Sequence, residues 1–298
     1  MRSRILREVR GYVEALVVAF LVVTFLFTTV GVVGASMLPS LDGGPGQRQL
    51  MQSLLTGDRV FIPKYPTWLR RLGIMGGYER GDIVVLREPV TTPGYLASSA
   101  AGCLDILVVN RCQPFFIKRI VGLPGDVLFI NEGQLVVNNQ VVDQGFISSS
   151  GEVAIEPVSF PVVMTDGDAA SALQVGFIAS SGGFPAPVLP SAGLPVPFMP
   201  VTDEWVDFYY GDVLEALVLP ADAPASEPVL AGLRVPEGHY FIMGDNRSRG
   251  GSLDSRHFGF IASGEIAGRA TAVIWPPRRD GEWNWRLLTA PGSLSGLP

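Results

Sequence analysis

Residues 12–33 read YVEALVVAFLVVTFLFTTVGVV, and from Leu16 to Val33 the chain runs 18 residues without a charge. As a helix rising about 1.5 Å per residue, the whole of 12–33 reaches about 33 Å, enough to cross the hydrocarbon core of a bilayer. Glu14 lies one turn inside and can stay at the interface, and Tyr12 suits the headgroup level. Arg2, Arg4, Arg7 and Arg10 precede the run against Glu8 alone. This positive charge predicts a cytoplasmic N-terminus. Residues 1–11 are therefore expected as a basic cytoplasmic tail and 12–33 as a single transmembrane helix. Everything from Gly34 is expected on the outer, periplasmic or extracellular, face of the cell (inner) membrane. A cleavable leader would need a small-residue site, for which Gly34-Ala35-Ser36 would serve. A buried soluble helix fits less well, because the run is apolar on every face.

Beyond the span, the chain breaks into short runs with a β pattern: 58–64, 82–88, 115–122, 126–131, 134–142, 239–245 and 265–276. Asn138-Asn139, between two Val-Val pairs, marks a hairpin turn. With 35 Gly and 24 Pro in 298 residues, a turn-rich β protein fits better than a helical bundle. The expected fold is mostly β, an antiparallel β-sheet ectodomain on one N-terminal transmembrane helix. Residues 34–147 and 237–290 would form two parts of one β core. Residues 148–236, rich in Pro and Gly, would be an insertion holding strands or a short helix, and 291–298 a frayed tail. Residues 42–54 are expected as a flap. The net charge of −6 argues against a nucleic-acid partner.

Cys103 and Cys112 form no CxxC motif and have no histidine cluster near them, so zinc is not expected. On the outer side of a membrane they are candidates for one disulfide.

A serine hydroxyl needs a base to become a nucleophile. The chain has two histidines, His239 and His257, each in an apolar strand-like context. A lysine serves instead when burial makes its amine neutral. Lys118, in FFIKRIVG, would share a strand face with Phe116 and Ile120, an unusual setting for a solvated lysine. The plainer reading is a lysine reaching out at a sheet rim.

Five segments in order resemble those of the bacterial type I signal peptidases, membrane-anchored Ser–Lys proteases. They are SMLPSL at 36–41, GDRVFIPKY at 57–65, RGDIVVLREP at 80–89, FIKRIVGLPGD at 116–126 and GDNRSRGGSLDSRHFGFI at 244–261. The resemblance implies Ser36 as nucleophile, Lys118 as general base and Ser252 as the hydroxyl that orients the amine. It implies Asp254, Arg256 and Arg119 as structural support. Met37, Leu41, Phe116 and Ile117 fall at positions that line shallow pockets for small residues. The Ser36 backbone N–H would contribute to the oxyanion hole. Where some members add a serine two residues before the nucleophile, Gly34 stands here. Ser40 replaces the usual threonine, and four residues, 248–251, replace the usual two before Ser252, which brings Ser248 into question as a substitute.

On that resemblance the chain is expected to be a serine endopeptidase with no metal or organic cofactor. It would cleave preproteins at small-x-small sites, in contact with the lipid bilayer and the secretion translocon. The rivals are a specialised pilin- or conjugation-type processing peptidase of the same family and an inactive membrane-anchored scaffold.

Overall fold

Phe115–Gly122 is the middle strand of a five-stranded sheet, paired on one side with Ile83–Arg87 and on the other with His239–Met243. Ile261–Ala262 and Ile266–Arg269 complete the two edges. Both faces of the middle strand are covered from Ile117 to Gly122, as its nearly unbroken apolar run requires. The computed structural model describes residues 2–44, 50–92, 105–106, 109–110, 115–167, 169–179, 183–191 and 195–297. Cys103 and Cys112 lie outside these residues, as does part of the expected flap, of which Leu50–Thr56 is a helix.

Every strand ladder among the described residues is antiparallel. A second sheet orders Phe27–Gly31, Arg59–Pro63, Ala272–Trp275 and Arg286–Leu287. A third contains Val127–Asn131 and Gln134–Val137. Gln140–Val141 follows through Asn138 and Asn139, both at positive φ, the backbone that a tight two-residue hairpin demands.

The N-terminal segment differs from expectation. Arg2–Leu21 is α-helical, Val22–Leu26 forms a π-helical turn, and Phe27–Gly31 is a strand. The helix thus ends well before Val33. Thr28, Thr29 and Val30 are β-branched and lose side-chain freedom in a helix. They instead pair with Ile62, Phe61 and Val60 on the neighbouring strand. Among the described residues no helix is long and apolar enough to cross a membrane.

Residues 148–236 contain more regular structure than their composition suggested. Val162–Asp166, Ala169–Gln174, Phe198–Pro200 and Pro228–Leu230 form a four-stranded sheet, and Gly176–Ala179 pairs with Pro185–Val188. The WVDFYYG run belongs to a helix, Glu204–Glu215. Asp203 caps it, its carboxylate accepting the N–H groups of Trp205 at 2.9 Å and Val206 at 3.2 Å. Its Tyr209 and Tyr210 are fully buried, in one apolar cluster with Leu128, Leu135 and Phe241. The segment therefore shares a core with the flanking sheets.

The tail is also not frayed. Gly292–Ser295 is a helical turn, Leu294 is fully buried in the same cluster, and the Leu297 carbonyl accepts a hydrogen bond from Arg80 at 3.0 Å. One large apolar side chain with a core cavity to fill is enough to dock it.

Candidate active site

The strand Phe27–Gly31 delivers the chain to Gly34, whose φ of +88° suits glycine and turns the backbone into the serine segment. Two anchors then fix this segment. Met37 and Leu41 are fully buried against Val60, Ile83, Val85 and Ile117. The Leu38 and Leu41 N–H groups donate to the carbonyls of Ala35 at 3.1 Å and Met37 at 2.9 Å. Ser36 sits between these anchors, half-buried.

Lys118 reaches Ser36 from the central strand. Its Nζ lies 3.1 Å from Ser36 Oγ and 3.1 Å from the Ile117 carbonyl oxygen. The residue is 3% exposed, and Nζ lies 5.2 Å from the centre of the Phe116 ring. Burial lowers the pKa of the amine to about 8, against the opposing pull of the Asp254 and Asp245 carboxylates. At neutral pH roughly one tenth of such a lysine is neutral, compared with about one in three thousand at an ordinary value. In the neutral form the amine can accept the Ser36 hydroxyl proton across the same contact.

The loop after His239–Met243 clamps the serine backbone. Asn246 donates its N–H to the Ser36 carbonyl at 3.1 Å and its side-chain amide to the Ala35 carbonyl at 3.0 Å. Gly244 passes so close that a methyl group there would fall 2.5 Å from the Ser36 carbonyl oxygen and 2.2 Å from Ser252 Oγ. Ser252 is thus adjacent to the Ser36 segment and buried, but its Oγ has no hydrogen-bond partner among the described residues. Ser248 does not stand in for it, because its hydroxyl donates to Asn246 Oδ1 at 2.5 Å.

Two buried ion pairs hold this arrangement. Arg119 donates to both oxygens of Asp245 at 2.8 and 2.6 Å, and also to the Gly81 carbonyl and Ser40 Oγ. Arg256 donates to both oxygens of Asp254 at 2.8 and 2.9 Å. Asp254 in turn accepts the Gly244 N–H at 3.0 Å. Burial opposes ionisation of Asp254, but the Arg256 guanidinium overrides it and holds the carboxyl below the usual carboxylate range. Among the described residues neither histidine bonds to Ser36. His239 Nδ1 lies 2.9 Å from the Glu237 carbonyl, and His257 Nδ1 lies 4.0 Å from Asp254 Oδ1. Burial lowers the His257 pKa to about 4, so it is neutral at physiological pH.

The structure thus brings Ser36, Lys118, Ser252, Asp254, Arg256 and Arg119 into one region. Of the four expected pocket residues, Met37 and Leu41 lie in the core beneath the serine, Ile117 is 9% exposed, and Phe116 is half-buried beside the amine. Asn246, Gly244 and Asp245 were not singled out from the sequence. Their signal was present in the short GDN run, where a polar pair follows a glycine at a strand end.

The chain matches the model of a family described as signal peptidase, peptidase S26, over residues 5–275. It is 24% identical to signal peptidase I S of Bacillus subtilis (strain 168) over 276 residues, covering 92% of this chain and 91% of that one. It is 23% identical to the probable signal peptidase I-2 of Synechocystis, covering 90% of this chain and 72% of that one. A crystal structure of a signal peptidase I from Enterococcus faecalis aligns with 66% of this chain and 99% of its own, at 19% identity and a TM-score of 0.29.

Proposed function

Because the chain belongs to the signal peptidase family, peptidase S26, we propose that it is a membrane-held serine endopeptidase that cleaves signal peptides from translocated preproteins with a Ser36–Lys118 dyad. The observation that carries the dyad is the 3.1 Å contact between Ser36 Oγ and an amine whose residue is 3% exposed. A lysine so enclosed loses much of its charge preference, a condition proteins tolerate mainly at functional sites.

The reaction follows from these groups. The neutral Lys118 amine takes the Ser36 proton as Oγ attacks the scissile carbonyl, and the ammonium then protonates the departing amine. Water hydrolyses the resulting acyl-enzyme, with Lys118 again as base. The amine is held by Ser36 Oγ and the Ile117 carbonyl, while Ser252 stands beside the Ser36 backbone rather than on Nζ. Phe116 and Ile117 shape the wall for small side chains, with Met37 and Leu41 supporting them from below. The preprotein binds extended along the sheet beside the dyad, so that its backbone supplies much of the affinity.

Membrane attachment rests on surface character. Leu16, Val17, Phe20, Phe25 and Leu26 are exposed on the N-terminal helical rod, and the Phe25 ring lies 5.8 Å from that of exposed Trp68. Trp275, Trp283, Trp285 and Leu287 are also exposed. Water-facing surfaces rarely carry so many large apolar groups, whereas a lipid interface favours tryptophan. The arginines near the N-terminus support a cytoplasmic position for that end.

The test is cleavage of a preprotein with a small-x-small site by the detergent-solubilised protein. Ser36→Ala and Lys118→Ala are each expected to abolish processing while the thermal unfolding transition remains. Near-normal turnover in either variant would refute the dyad.

A further inference from the structure

Ser252 lines a pocket of about 240 Å³ together with Val158, Pro187, Leu189, Ser191 and His257. The Oγ atoms of Ser252 and Ser191 are both buried and have no hydrogen-bond partner among the described residues. Two unsatisfied hydroxyls lining one pocket are unusual, since buried polar groups are nearly always bonded to protein or to ordered water. The pocket has room for several waters at about 30 Å³ each. Its polar atoms supply the partners that an ordered water needs.

Segment 148–236 provides much of the enclosure. Pro187, Leu189 and Ser191 follow from the strand Pro185–Val188. That strand is held by the helix Glu204–Glu215, where the Tyr209 hydroxyl donates to the Pro185 carbonyl at 2.7 Å. The same helix holds the far wall, the Tyr210 hydroxyl donating to the Arg256 carbonyl at 3.2 Å. Ser252, which also lines the pocket, is set against the Ser36 backbone by the close approach at Gly244.

We propose that this pocket is a water site that serves the hydrolytic half of the reaction, with water held between the Ser252 and Ser191 hydroxyls reaching the acylated Ser36 from the side of segment 148–236. The inference rests on the Ser36–Lys118 reading. In the step it serves, the water oxygen bonds to the acyl carbon and its proton passes to the neutral Lys118 amine. The bond from that carbon to Ser36 Oγ then breaks, and the Lys118 ammonium returns the proton to Oγ. The signal peptide leaves as a carboxylic acid and ionises. Ser252 thus acts on the dyad through the water it holds, which accounts for a hydroxyl that is buried beside the site and has no partner among the described residues.

The experiment fills the pocket without touching the dyad. Val188 lines the pocket, and both Val188 and Ser191 are half-buried, so Val188→Phe and Ser191→Leu occupy its volume from two positions. The full chain in detergent is given a small-x-small peptide ester, whose fast acylation makes turnover report deacylation. Both variants are expected to keep the pre-steady-state burst, to lose about 10-fold in ester turnover, and to accumulate protein carrying the acyl group on Ser36, seen by mass spectrometry after acid quench. Unchanged turnover, equal slowing of burst and turnover, or a rise in KM alone would overturn the proposal. The last outcome would assign the pocket to a substrate side chain. If Ser36→Ala still processes preprotein, the dyad reading fails and this inference with it. If the parent protein acylates on Ser36 but the filled variants behave like it, only the water site fails.

Discussion

Arg256 grips both oxygens of Asp254, yet Asp254 is the charge that most opposes the lowered pKa of Lys118. The pair therefore restrains the lysine as well as bracing the loop. A carboxylate left alone here would draw the amine back towards its charged form. Arg256 itself pushes the other way, so the net field at Nζ is smaller than either charge would give.

Replacing the carboxylate shifts this balance in a definite direction. In Asp254→Asn the Lys118 pKa should fall below about 8, because the favourable negative charge is gone and Arg256 remains. The acidic limb of kcat against pH should move to lower pH. Stability should drop by about 3–5 kcal/mol, the usual result of leaving one member of a buried pair unpaired. A pH–rate profile and a urea titration check both parts. An unmoved limb would mean that Lys118 is not the group seen in the profile.

Lys118→Met should be inactive and more stable than the parent. The folded pKa of about 8 lies below the ordinary lysine value of 10.5, so the unfolded chain binds the proton more tightly. At pH 7 both states are protonated, and the buried ammonium costs about 3 kcal/mol. Between about pH 8 and 10.5 the folded state sheds its proton first, and the parent gains stability as pH rises. The advantage of the methionine variant should therefore be largest near neutrality and shrink through that window. Denaturant titrations at several pH values measure it.

Asn246→Ala removes the side-chain amide that holds the Ala35 carbonyl at 3.0 Å. It also frees the Ser248 hydroxyl, which donates to Asn246 Oδ1. The nucleophile backbone should loosen while the amine keeps its surroundings. Turnover should fall about 10-fold with the pH profile unmoved, since one net hydrogen bond is worth about 0.5–1.5 kcal/mol and its loss here acts on alignment. A shifted profile would show that Asn246 acts on Lys118 instead.

The strands that carry the lysine were legible because their apolar runs are short and bounded by Gly, Pro or Asp. Phe115–Gly122 is the strand that its sequence predicts, and Asn138-Asn139 turns where the two Val pairs require. The pairing of Ser36 with Lys118 was legible through resemblance, since 82 positions separate them. Where the apolar helix ends was not. Phe27–Gly31 has the composition of the residues before it, and only the partner strand at Arg59–Pro63 decides its form. Leu294 was missed for a similar reason, as one leucine among Gly and Ser shows its value only when a cavity awaits it. Ser252 lay in the right segment, but its lack of a protein partner depends on loop geometry that spacing does not encode.

The support beneath Ser36 is assembled from segments far apart in the sequence. The strand Phe27–Gly31 pairs with Arg59–Pro63, which pairs with Ala272–Trp275. Arg286 donates to the Ser40 carbonyl at 2.8 Å and to Asp58 Oδ2 at 3.1 Å. Contacts of such long sequence separation form late in folding. A ribosome makes Arg286 after both Ser36 and Lys118, so a growing chain carries the hydroxyl and the amine before it carries the arginine that steadies this turn.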